Sequence, residues 1–132
     1  MTPEAARCLD KAQKCVANAQ TSLNVNLTND AGRGAYLAAF HAAQALIFER
    51  TGKVAKTHKG VHTLFARLVK EEPQLDDSLP AFLQRTYNLK AVADYETGPD
   101  SDIAPHRAAA AVEGARKFVD AVRHVLTPRN PN

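Results

Sequence analysis

The sequence predicts an all-α protein, an up-down antiparallel bundle of about four to five helices. Three observations predict it. Apolar residues recur at helical spacing along most of the chain, no segment reads as a strand, and short loops join the long amphipathic stretches. The 132 residues are 45% hydrophobic, which suits one domain with a sizeable core. We therefore expect a single helical domain over residues 1–132, its core spanning about 5–125.

The first helix is expected from about Pro3 to Ser22. Thr2 suits the N-cap, Pro3 the first turn, and Glu4 complements the helix dipole. Ala5, Cys8, Leu9, Ala12, Cys15, Val16 and Ala19 form its inward stripe. Cys8 and Cys15 share a face about 10.5 Å apart along the axis, too far for a disulfide, so both read as core thiols. After a polar turn, a second helix is expected from Asn29 or Asp30 to Thr51, stopped by Gly52. Thr57 can cap a third from about His58 to Glu71, with Val61, Leu64, Phe65 and Leu68 inward and Pro73 as its end. A fourth starts at Asp77 or Ser78, with Leu79, Phe82, Leu83, Tyr87, Leu89, Val92 and Tyr95 as apolar contacts. The loop ETGPDSDIAP follows, and Pro105 opens a last helix to about Leu126, with a stripe of Ala108, Ala111, Val112, Ala115, Phe118, Val119, Val122 and Leu126. The tail TPRNPN reads as frayed.

Charge narrows function only by position. Lys and Arg outnumber Asp and Glu by 17 to 14, a net charge of +3, too small by itself to establish nucleic-acid binding. The longest apolar run, Ala35 to Phe48, is interrupted by His41 and Gln44 and is too short to cross a bilayer. The start, MTPEAARCLDKAQK, lacks the apolar core of a secretion signal. A cytoplasmic protein without membrane association is expected.

Two stretches carry chemistry. On the second helix, Tyr36, Phe40, Ala43 and Ile47 share one face, and Arg33, Leu37, His41 and Gln44 lie along its shoulder. From the shoulder, Arg and His can reach a groove while their stems pack. The following KVAKTHKGVH offers Lys53, Lys56, His58, Lys59 and His62 beside the free N–H groups of a helix start, an arrangement suited to phosphate. By themselves these positions read more simply as packing and solvated charge. His58 and His62 have the spacing of helical zinc ligands, but no HExxH pattern and no third ligand accompany them, so no metal or cofactor is expected. Asn88, Lys90, Asp94 and Tyr95 gather where the fourth helix meets its loop, a common place for a site. Asp76 and Asp77 read as caps. Walker-type, GxGxxG and GxSxG motifs are absent.

RGAYLAAFHAAQALIFERTGKVAKTHKGVHTLF and the later LKAVADYETG together resemble the HEPN superfamily, closest to its small stand-alone prokaryotic branch. The matching pieces are Arg33, Tyr36, Phe40 and His41, then Thr57, His58, Gly60 and Val61, then Ala93, Asp94 and Tyr95. The resemblance implies a helical bundle, commonly a homodimer, tied to RNA or nucleotides. It also implies kinship with ribonuclease toxins encoded beside a minimal nucleotidyltransferase antitoxin. Those ribonucleases carry Arg or Asn, four to six residues, then His, usually followed by x-Tyr. None of His41, His58, His62, His106 and His124 has Arg or Asn at that distance before it. Aligning the pattern on Tyr95 puts Ala93 where the histidine stands and Asn88 where the Arg or Asn stands, and alanine cannot transfer a proton.

The resemblance thus implies an RNA- or nucleotide-binding module without the usual ribonuclease motif, a toxin-like component of a toxin–antitoxin or defence system with a nucleotidyltransferase partner. Its binding residues would be Arg33, Tyr36, His41, Lys56, His58, Lys59, Asn88, Asp94 and Tyr95. One alternative is an active metal-independent endoribonuclease with a displaced pair, Arg33 with His41 or His58. Another is a non-catalytic oligomeric scaffold.

Overall fold

A computed structural model describes residues 1–127; residues 128–132, most of the TPRNPN tail, lie outside the described residues. Among the described residues five helices make up the bundle: α1 (Pro3–Asn24), α2 (Thr28–Thr51), α3 (His58–Lys70), α4 (Leu79–Tyr95) and α5 (Pro105–Leu126). The caps act as the sequence predicts. Thr2 accepts the N–H of Ala5, and Thr57 accepts that of Gly60. Gly52 takes φ 70° and lets its N–H close on the Phe48 carbonyl, a left-handed stop that costs glycine little. The first turn is shorter than expected, because α1 continues to Asn24 and α2 begins at Thr28.

The second helix is the axis of the molecule and packs against all four others. Its buried positions include Ala35, Ala38, Ala39, Ala42, Ala43 and Ala45. Small side chains let neighbouring backbones approach: a Cβ built on Gly34 would stand 3.0 Å from that of Ala19 on α1. The opposing stripes are also alanine-rich, with Ala5, Ala12 and Ala19 from α1 and Ala108, Ala111 and Ala115 from α5. Bulk is concentrated elsewhere. Phe65, Phe82 and Phe118 join α3, α4 and α5, the Phe65 and Phe118 rings stacking at 5.1 Å between centroids.

Polar ties fix the helix directions. Thr2 donates both its N–H and its hydroxyl to Glu49, so α1 runs antiparallel to α2. His58 lies beside Tyr36 and Glu72 beside Arg50, so α3 runs alongside α2 in the same direction. The connection from Gly52 to Thr57 therefore travels back to the middle of α2 before α3 starts. With α4 the direction reverses again, because Asp94 meets Arg33. Asn29 accepts the N–H of Ile103 and places the start of α5 beside that of α2.

Two expectations about packing need correction. Cys8 and Cys15 pack against the core from its edge instead of lying within it; both are free and partly exposed, because the buried stripe centres on Leu9, Ala12 and Val16 and leaves them on its flank. Tyr95 makes no apolar contact of the kind expected, being 78% exposed. It stands one residue past Asp94, turned about 100° from the face that meets Arg33. No described helix is long and apolar enough to cross a membrane.

Phe118 is fully buried at the junction of three helices. Phe118→Ala should cost about 3–5 kcal/mol in urea unfolding, whereas Val25→Ala, at a 61% exposed position, should stay within about 0.5 kcal/mol. Equal effects would contradict this placement of the core.

Candidate functional site

The site is built on one buried hydroxyl. Tyr36 has no exposed surface, and the apolar face that it shares with Phe40, Ala43 and Ile47 turns it into the bundle. An unpaired hydroxyl there would be costly. It is satisfied from α3: the Tyr36 Oη lies 2.7 Å from His58 Nδ1 and 2.9 Å from His62 Nε2. The two histidines reach one atom because they are four residues apart at the start of a helix, one above the other. The Thr57 cap sets that start and hence their height.

Tyr87 of α4 closes the cluster. Its ring centroid is 5.2 Å from that of Tyr36, 5.0 Å from that of His58 and 5.4 Å from that of His62. Above this floor, between α3 and α4, a cleft of about 290 Å³ is lined by His58, Lys59, His62, Thr63, Gln84 and Tyr87. Gln84 crosses its wall, facing His62 Nδ1 with Oε1 at 3.3 Å while its amide nitrogen donates to Asn88 at 3.1 Å. Asn88 therefore reaches the cleft through Gln84. Lys59 lies on the rim, and Lys56 is exposed on the approach to α3.

The other expected residues form separate groups. Arg33 donates to Asp94 and to Asp30, each at 2.7 Å, and Lys90 pairs with the second oxygen of Asp94. These contacts raise the Arg33 pKa, the Asp94 hydrogen bond being the main cause, and lower that of Asp94, Lys90 first and Arg33 second. Arg33 is thus occupied by two carboxylates, a latch between α2 and α4. His41 hydrogen-bonds to Gln44 at 2.8 Å, and Gln44 donates onward to the Ala55 carbonyl, holding the loop before α3. Eight residues separate Arg33 from His41 on α2, about 12 Å along the axis. Tyr95 stands exposed at the end of α4.

The sequence does not single out Gln84 and Tyr87 as site residues, and it offers His62 only within the basic stretch before and into α3 and as half of a zinc spacing. The available signal was that Gln84, Tyr87 and Asn88 fall on one face of a helix at i, i+3 and i+4. Instead of presenting paired metal ligands, His58 and His62 both turn to the Tyr36 hydroxyl. Among the described residues no cluster of at least three His, Cys, Asp or Glu side chains could hold a metal ion.

Burial lowers the pKa of His41, opposed by its bond to Gln44, and that of His62, opposed by its bond to Gln84. Burial also pushes the Tyr36 phenol up, with Tyr87 adding to the shift, so the phenol remains protonated in neutral solution. The unfolded chain binds protons at imidazoles near pH 6.5, while folded His41 and His62 resist until lower pH. Stability is therefore retained above about pH 6.5 and falls as the pH drops through the depressed values. His41→Gln/His62→Gln should flatten the slope of thermal midpoint against pH between about 7 and 5; an unchanged slope would contradict this assignment.

The HEPN domain family model matches residues 5–125, nearly all of the described chain. A Methanocaldococcus jannaschii protein provisionally named a toxin is 27% identical over 118 residues, covering 89% of this chain and 85% of that protein. A protein of Archaeoglobus fulgidus, named only as a UPF0332 protein, is 29% identical over 116 residues, covering 88% of this chain and 90% of its own length. With the five-helix bundle and the ordered motifs on α2, α3 and α4, these matches show that the chain belongs to the HEPN domain family.

Proposed function

We infer that this is a toxin-like HEPN module that binds RNA or a nucleotide in the cleft between α3 and α4. The observation that carries the reading is the gathering of Lys59, two imidazoles, an aromatic floor and the Gln84 carboxamide around one opening. Lysine supplies charge for a phosphate, aromatic and imidazole rings offer faces on which a base can stack, and carboxamides pair with base edges. The likeness to a protein provisionally named a toxin supports the toxin-like role. A nucleotidyltransferase partner and a homodimer belong to the same proposal. The exposed phenol of Tyr95 is then available to such a partner for nucleotide transfer.

The ribonuclease alternative draws less support. Arg33 is held by Asp30 and Asp94, His41 stands about 12 Å from it along α2, and His58 turns its Nδ1 to Tyr36 instead. Ala93 still leaves the family's pattern without its proton-transferring histidine. Purified protein incubated with single-stranded RNA across a salt series tests both readings. Salt-sensitive binding without cleavage is expected, and Lys56→Ala/Lys59→Ala should reduce the log–log salt slope by roughly 0.7 for each lysine that meets a phosphate. Binding untouched by the double substitution would remove the cleft from consideration. Cleavage lost in His58→Ala would replace the binding module with a ribonuclease.

A further inference from the structure

We propose that the cleft distinguishes ribose from deoxyribose through His58 Nε2, which a directed hydrogen-bond chain holds as a bare acceptor. The proposal rests on the reading of this cleft as an RNA or nucleotide site. Its ligand is any ribonucleotide unit whose 2′-hydroxyl lies beside a phosphate, in a strand or free.

The chain takes its direction from its outer end. Gln84 turns its amide nitrogen to Asn88 and its carbonyl oxygen to His62 Nδ1. A carbonyl only accepts, so that nitrogen carries the proton. In a neutral imidazole the other nitrogen is then bare, and His62 Nε2 accepts the Tyr36 hydroxyl 2.9 Å away. With its proton directed there, the Tyr36 oxygen accepts from His58 Nδ1 at 2.7 Å. His58 is left with its lone pair on Nε2, for which no partner occurs among the described residues, on a ring that lines the cleft. Burial favours the neutral form of His62 that the chain requires. Tyr36 is fully buried and cannot exchange its partners for water.

A bare imidazole nitrogen accepts a hydrogen bond and offers nothing to a phosphate oxygen. The hydroxyl that distinguishes RNA from DNA can donate to it, while Lys59 on the same rim is placed for the neighbouring phosphate. For this selectivity Tyr36, His62 and Gln84 are positioning residues, since His58 Nε2 alone would meet the 2′-hydroxyl.

Affinities for a short single-stranded RNA, the matching DNA and the matching 2′-O-methyl RNA, measured at one salt concentration, test the proposal. AMP and 2′-deoxy-AMP show whether a free nucleotide suffices. RNA should bind about fivefold tighter than DNA and than 2′-O-methyl RNA, the worth of one neutral hydrogen bond. The RNA-to-DNA ratio should fall to about one in His58→Ala, Tyr36→Phe and Gln84→Leu. Lys59→Ala should weaken both ligands and keep the ratio. Equal binding of RNA and DNA by the unsubstituted protein would overturn the proposal while leaving the binding module. A preference shared by 2′-O-methyl RNA, or one that survives Tyr36→Phe and Gln84→Leu, would overturn it too. No binding of any nucleic acid or nucleotide would remove the underlying reading.

Discussion

One hydroxyl organises this end of the molecule. Tyr36 projects from the most buried helix into a place where water cannot satisfy it, and a polar group buried without a partner costs up to several kcal/mol. The two imidazoles that meet it come from the first two turns of α3. Satisfying Tyr36 therefore fixes where α3 starts, how it is rotated and which face it shows to α4. The cleft follows from that placement. Its floor is the aromatic cluster that encloses the hydroxyl, and its rim is the next residue, Lys59, with Gln84 opposite.

The surrounding helices make such a placement affordable. Along α2 the buried alanines and Gly34 let α1 close to backbone contact, while α5 packs its own small residues against the same helix. Bulky residues are then free to collect where three helices meet, as Phe65, Phe82 and Phe118 do. The Arg33–Asp94 latch holds the end of α4 against the start of α2. Gln44 ties the returning loop to α2 through the Ala55 carbonyl. These two contacts border the cleft region from either side along the chain, and they account for Arg33, His41 and Asp94 without a ligand.

Local rules made much of this legible. Thr2, Thr57 and Gly52 announce their ends because capping depends on neighbours three or four residues away. The α2 faces follow from helical period alone: Tyr36, Phe40, Ala43 and Ile47 are buried, while Arg33, Leu37, His41 and Gln44 sit half-exposed beside them. Legibility ends where long-range geometry begins. His58 and His62 lie 22 and 26 residues from Tyr36, and Asp94 lies 61 from Arg33. No periodicity encodes those meetings or the return of the chain that sets α3 alongside α2. The flanking places of Cys8 and Cys15 and the exposure of Tyr95 were missed for a related reason, since the stripe gives a face but not its width.

The central claim is that the chain from Gln84 to His58 has a direction, and nitrogen-15 NMR of the histidine side chains reads it directly. Long-range proton–nitrogen correlations in neutral solution should find both His58 and His62 in the Nδ1–H tautomer, with Nε2 unprotonated in each ring. Either ring in the Nε2–H tautomer would contradict the account, because the Tyr36 hydroxyl could not then link His62 to a bare acceptor on His58.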